Sequence, residues 1–149
     1  MFNLKRYNGT FKGVIGECLF KNTNDNVIIT KFFNKNKFFS KFDNIIGKEK
    51  RDFLFNNWFS IDAVEFDKSS MKIVLYEIKT RNKYNKELHF KPKMTLATHK
   101  IYTEALRIGF IVKIATVWLC DNWDYNVVLS DFDDSQYCID KPKKWDKCG

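Results

Sequence analysis

Met71-Lys72-Ile73-Val74-Leu75-Tyr76-Glu77-Ile78-Lys79-Thr80 is the stretch on which the fold turns. It is rich in Ile, Val and Leu and reads as a strand. Four apolar residues run directly into Glu77. Side chains alternate along a strand, so Glu77 and Lys79 share one face and Ile78 points to the other. A carboxylate at the end of a buried strand costs desolvation energy unless something pairs with it. Lys79 is one candidate partner, and a metal ion is another.

Upstream, Ser60–Phe66 is a second strand candidate, and Asp67-Lys68-Ser69-Ser70 is a turn. The two strands make a hairpin, with Asp62 in the first and Glu77 in the second. Neighbouring carboxylates repel, and a divalent cation relieves the repulsion. Hard oxygen ligands suit Mg²⁺ or Mn²⁺. Such an ion binds a phosphate oxygen, lowers the pKa of a bound water and stabilises a leaving oxyanion. Lys79 would orient that water or neutralise charge developing on the phosphate. Each piece alone is ordinary: Glu-x-Lys is usually a solvated pair, and Asp62 a strand-end residue. Glu65 is a competing acid on the face opposite Asp62. The weight lies in the arrangement of an acid, a Glu-x-Lys strand end, a helix and a further buried strand.

That helix spans 93–108, with Leu96, Ala97, Ile101, Ala105 and Ile108 as its stripe and Gly109 at the C-terminal cap. Phe110–Leu119 is a buried strand, Asp121-Asn122 a turn, and Tyr125–Leu129 a last strand. The tail from Asp131 onward is polar and expected to be peripheral. Before the hairpin, residues 8–22 predict a helix with an apolar stripe of Phe11, Val14, Ile15, Cys18 and Leu19. Gly13 and Gly16 weaken it, as glycines do where something approaches the backbone closely. Val27–Phe33 is a short strand candidate, 34–40 is ambiguous and 41–57 looks helical. The expectation is an α/β domain with a mixed central sheet flanked by helices, and a strand–helix–strand crossover if the strands around 71–119 are parallel. One domain covers 1–149, with a Phe/Lys-rich insert at about 23–59 and a polar tail from about 131.

The chain has 149 residues with a net charge of +8. Residues 121–149 hold seven acids and four lysines, which leaves 22 basic against 11 acidic residues in the rest. A body that basic attracts polyanions. The four cysteines form no C-x-x-C pair, so a structural zinc site has little support. Cys18 and Cys120 lie in apolar runs and read as buried thiols in a reducing, intracellular setting. Met1–Arg6 lacks the apolar core of a signal peptide, and no apolar run approaches membrane-spanning length.

The pattern Asp62, fourteen residues, Glu77-Ile78-Lys79 resembles the signature of the PD-(D/E)XK nuclease superfamily. Within it the chain looks most like the archaeal-type Holliday junction resolvases and related small viral nucleases. Lys12-Gly13-Val14-Ile15-Gly16-Glu17 looks like the element that carries a Glu on their first helix. The resemblance implies a restriction-endonuclease-like core. It implies Asp62 and Glu77 as metal ligands, helped by the backbone carbonyl of Ile78, with Lys79 acting on the attacking water. Glu17 would support the metal directly or through water. The resemblance extends to the helix and strand within Thr95–Leu119. Ile61 stands where the signature has proline, and the segment between Glu17 and Asp62 is long and Phe-rich.

Lys79 is followed by a polar, basic loop over 81–91, in which Arg81, Lys83, Lys86 and Lys91 are phosphate-contact candidates. Lys12 and Lys93 join them, Lys93 at the start of a helix whose N-terminus favours anions. Arg6, Lys35, Lys37, Lys41, Lys48, Lys50 and Arg51 extend the basic surface. Thr95, Thr98, His99 and Tyr102 would face the site, although His99 reads better as a structural histidine, and His89 has no visible partner.

The leading expectation is a Mg²⁺-dependent endonuclease acting on DNA, with Mn²⁺ able to substitute. A junction resolvase of DNA recombination or repair, working as a two-fold homodimer, is its most specific form. An RNA endonuclease, a repair or restriction-like nuclease and an inactive nucleic-acid-binding module are the alternatives. The compartment expected is the cytoplasm, or the nucleus of a host cell for a viral protein.

Overall fold

The computed structural model describes residues 9–82, 93–120, 122, 124–132 and 138–140. The chain begins with helix α1 (Gly9–Thr23) and the short strand β1 (Ile28–Ile29), and then a 3-10 turn, Thr30–Phe32. Helices α2 (Lys35–Ile46) and α3 (Lys48–Asn57) come next, and then a second 3-10 turn, Trp58–Ser60. The hairpin follows as β2 (Ala63–Asp67) and β3 (Lys72–Asn82). Strand β4 (Lys93–Thr95) leads into α4 (Leu96–Ile108), then β5 (Ile111–Leu119), β6 (Tyr125–Asp131) and β7 (Cys138–Asp140).

Five strands form one mixed sheet in the order β1-β2-β3-β5-β6. The central pair, β3 and β5, is parallel from Val74 opposite Ile111 to Asn82 opposite Leu119, as the crossover expectation required. The other neighbours are antiparallel. In the hairpin Ala63 faces Tyr76 and Asp67 faces Lys72. The turn is closed by Asp67, whose Oδ1 accepts from the Ser69 N–H at 3.0 Å. β4 and β7 make a separate parallel pair.

Period-two alternation gives each sheet face its own core. On one face, Val64, Ile73, Leu75, Val112 and Ile114 meet Phe38, Phe39, Phe53, Leu54, Tyr102 and Ala105 from the three later helices. On the other, Ala63, Val74, Tyr76, Ala115 and Val117 meet Phe20 of α1. Each large apolar side chain removed from water in these layers contributes roughly 1.5–3 kcal/mol. Two caps fix the ends of α4. Thr95 accepts from the Thr98 N–H at its start, and Gly109 takes the left-handed φ of 110° at its end.

Several expectations are corrected. The strand sought at Val27–Phe33 is only two residues long, because Thr30 turns the chain into the 3-10 turn. Residues 34–40 join 41–46 as one helix, capped by Asn34, whose side chain accepts from the Lys37 N–H. The insert is therefore a helical layer of the main core. The helix expected from 93 starts at Leu96, since Lys93–Thr95 pairs with β7 as strand. The tail is not wholly peripheral: β6 runs to Asp131, Phe132 is buried, and 138–140 is strand. Cys18 is exposed and Cys120 half-buried. Cys18 misled because α1 turns a different face inward. Phe11 and Cys18 look outward, while Gly16, Glu17 and Phe20 face the sheet, roughly half a turn from the expected stripe. No described helix is long and apolar enough to cross a membrane.

Candidate active site

The C-terminal end of β3 gathers the residues that carry chemistry. Glu77 and Lys79 follow Ile73 and Leu75 on the face covered by α4. The Lys79 ammonium stands 3.5 Å from Glu77 Oε2, and both side chains are largely buried. Extending the hairpin register one rung beyond Ala63 and Tyr76 sets Asp62 opposite Glu77. The Asp62 carboxyl reaches the Glu77 carboxyl within hydrogen-bonding range, and its Oδ2 accepts from the Ile78 N–H at 2.8 Å. Burial first, then the neighbouring Glu77 charge, holds the Asp62 carboxyl well above the usual carboxylate range. In a strand the N–H and C=O of one residue point the same way. The Ile78 carbonyl therefore lies on the Asp62 side of β3.

The backbone around Asp62 is fixed by the first 3-10 turn. The Thr30 N–H donates to the Asp62 carbonyl at 3.1 Å, and the Thr30 hydroxyl donates to the Ile61 carbonyl. Tyr102 closes the site from α4. Its hydroxyl is fully buried, donates to Glu77 Oε1 at 3.2 Å and lies beside the Asp62 backbone. Burial and the two carboxyl charges push the Tyr102 phenol far above its ordinary pKa, so it remains a donor.

Glu17 comes from α1, on the other side of β3. Gly16 lies against Thr80, and a Cβ at Gly16 would fall 1.8 Å from Thr80 Oγ1. Phe20, one turn on, packs edge-to-face on Tyr76 with centroids 5.0 Å apart. The helix thus runs antiparallel along β3, close enough to bring Glu17 within electrostatic reach of Asp62. Glu17 is only 5% exposed. Its Oε1 accepts from Lys31 Nζ at 2.7 Å, while its Oε2 is buried with no hydrogen-bond partner among the described residues. Burial raises the Glu17 pKa, and Lys31 opposes the shift.

One turn back from Gly16, Lys12 approaches Arg81. Burial and the Arg81 charge both depress the Lys12 pKa, an arrangement that an anion would relieve. Lys83, Lys86, Lys91 and His89 lie outside the described residues, as do Arg6 and the side chain of Lys93. His99 packs on Phe132, with ring centroids 5.5 Å apart, in keeping with a structural histidine. Thr95 and Thr98 are occupied in the α4 cap, their hydroxyls 3.0 Å apart. Glu65 belongs to the opposite face, where it accepts from the Tyr76 hydroxyl at 2.6 Å.

One participant, Lys31, is absent from the site residues expected from the sequence. Lys31 sits in a turn read as strand, and nothing local signals its pairing with Glu17. Tyr102 is expected to face the site from the family resemblance, and its hydrogen bond to Glu77 joins residues 25 apart in the chain.

A hard divalent cation fits the donors present. Asp62 and Glu77 offer two carboxyls whose mutual repulsion a cation would remove, the Ile78 carbonyl faces the same edge, and Glu17 Oε2 lacks a partner among the described residues. Among the described residues no three acidic, histidine or cysteine side chains converge tightly enough to form a cage alone. Any ion held here would therefore keep water or substrate oxygens, as Mg²⁺ commonly does. No family model and no curated protein matches the chain.

Proposed function

We propose that the chain is a metal-dependent endonuclease of the PD-(D/E)XK type, hydrolysing phosphodiester bonds in DNA on a restriction-endonuclease-like core. The observation that carries this reading is the junction of Asp62 with the Glu77-Ile78-Lys79 strand end. Two carboxyls meet across a hairpin rung, and an ammonium stands 3.5 Å from one of them. Asp62, Glu77 and the Ile78 carbonyl would hold Mg²⁺ or Mn²⁺, with Glu17 as a further support. When bound, the ion supplies Lewis-acid stabilisation of the phosphate and activation of water.

The chain's own groups do the rest. Lys79, next to Glu77, places a positive charge where the attacked phosphate would gain negative charge. Tyr102 and the Ile78 N–H hold the two carboxyls in place. Lys12 and Arg81 gather cationic charge at the same end of β3, suited to phosphates beside the scissile bond. A two-fold dimer making paired cuts in a four-way junction is the most specific form of the proposal.

The test is cleavage of labelled four-way junction, flap, duplex, single-stranded DNA and RNA with Mg²⁺, Mn²⁺ or EDTA. Glu77→Ala and Asp62→Ala should abolish metal-dependent cutting while binding is retained or improved, because a carboxylate near phosphate is removed. Full activity in either variant would sink the site. Lys79→Ala should remove turnover but leave a Mn²⁺-induced thermal shift in place.

A further inference from the structure

The helical layer over the Asp62 face is unusually aromatic, and some of its rings look outward. Phe38, Phe39 and Phe53 are buried. Phe55 is 37% exposed and Phe59, in the 3-10 turn, is 78% exposed. A ring that open gains little from folding. The two rings share one cation: Lys35 Nζ lies 3.8 Å from the Phe55 centroid and 5.6 Å from that of Phe59. Phe55 is braced from below by Phe39, with centroids 5.3 Å apart, and Arg51 flanks it at 5.7 Å.

Phe59 is also close to the proposed chemistry. Only Ser60 and Ile61 separate it from Asp62, so their Cα atoms are at most about 11 Å apart. The two helices that carry Lys35 and Phe55 cover the sheet face on which Asp62, Glu77 and Lys79 project. Trp58, next to Phe59, anchors the turn: it is wholly buried and its indole N–H donates to the Thr30 carbonyl at 3.3 Å.

An open aromatic ring, Phe59, beside a second ring already faced by a cation matches one ligand chemistry well. Bases stack on the rings, and the ammonium neutralises the phosphates that join them. In a duplex the base faces are already stacked on one another and are not free for such contact. We infer that Phe59, flanked by Lys35 and the Phe55 ring that Lys35 faces, forms a stacking platform for unpaired nucleotides of a single-stranded segment adjoining the cut site. This rests on the nuclease reading for its place beside the scissile bond, but base stacking itself requires no cleavage.

The test is therefore binding in EDTA, read by fluorescence anisotropy of a labelled short oligothymidylate and of a labelled blunt duplex of equal length. Phe59→Ala should weaken oligothymidylate binding by roughly 5- to 100-fold. Duplex binding should not change, and Phe59→Trp should keep single-strand affinity. The exposure of Phe59 makes both variants compatible with folding, checked by unchanged melting. Equal losses on both ligands, or no loss on the single strand, would overturn the platform. So would conversion of a dimer to a monomer by Phe59→Ala with single-strand affinity intact, which would assign the rings to a second copy of the chain. If Phe59 controls single-strand binding while no substrate is cut, the platform stands and the nuclease falls. If cutting is metal-dependent and Phe59→Ala binds oligothymidylate normally, the nuclease stands and the platform falls.

Discussion

The two faces of the sheet are covered by helices of different kinds. On one face, α2, α3 and α4 press bulky side chains inward, with Trp58, Leu54 and Tyr102 completely buried. On the other, α1 turns Gly16, Glu17 and Phe20 inward, so a missing side chain and a carboxylate lie beside one aromatic ring. The first covering follows the rule that apolar stripes go to the core. The second departs from it where the chain carries an acid to the end of β3. A close-packed glycine and a buried Glu give up the apolar contact that helix packing ordinarily supplies. The difference separates a layer selected for packing from one that also delivers a functional group.

The largest effect should come from the packing layer. Trp58 touches Phe38 and Phe39, with ring centroids 4.8 and 5.6 Å away. It also satisfies the Thr30 carbonyl, close to the backbone that fixes Asp62. Trp58→Ala should cost about 3–5 kcal/mol of stability, measured by urea unfolding, because it opens a cavity and removes a hydrogen bond. A loss below about 1 kcal/mol would show that this layer is looser than its burial implies.

An intermediate effect belongs to Gly16. The methyl group of Gly16→Ala would meet Thr80 Oγ1 at 1.8 Å and Thr80 Cβ at 3.0 Å. Rotation of Thr80 relieves the first contact and leaves the second, so the helix must move. A penalty of about 1–3 kcal/mol is expected, as for other overpacked positions. Thr80 Oγ1 has no hydrogen-bond partner to lose among the described residues. Thr80→Ala should therefore recover part of the penalty in the double variant, and unfolding of the four-member cycle measures that coupling. Strict additivity would place Gly16 away from β3.

The same contrast explains what could be read before the fold was known. β3 and β5 were legible because strands buried on both faces are nearly continuous apolar runs. The shared face of Glu77 and Lys79 is legible because alternation along a strand is exact to the residue, and Asp62 is legible from its place beside the hairpin, although it lies just before β2 begins at Ala63. The inward face of α1 was not, since Phe11, Val14, Ile15, Cys18 and Leu19 outline a more apolar stripe than the true one. Within residues 32–59 the helical reading of 41–57 extends to residue 35 and is broken at Gly47, and the Phe pattern is hard to read because phenylalanine serves there in both roles, buried at 38, 39 and 53 and exposed at 32, 55 and 59. The β4–β7 pair joins three-residue strands far apart in the chain, too short to leave a periodic signature.

The smallest effect gives the sharpest test, because its sign is opposite. Gly13 lies one turn before Gly16 in the same helix, and a Cβ there meets no described atom within 4 Å. Alanine exceeds glycine in helix interiors by restricting the unfolded chain, without needing any new contact. Gly13→Ala should therefore stabilise the protein by about 0.5–1 kcal/mol, while the same exchange at Gly16 destabilises it. Thermal melting of the two variants side by side reads the difference. If both exchanges stabilise, α1 does not press its Gly16 face on β3, and the buried setting of Glu17 must be abandoned with it. If both destabilise, something occupies the space beside Gly13, at the end of α1 where Lys12 and Arg81 approach one another. Opposite signs would tie Gly16 to close packing and leave Gly13 as a position where the helix can be strengthened without disturbing the carboxylate it carries inward.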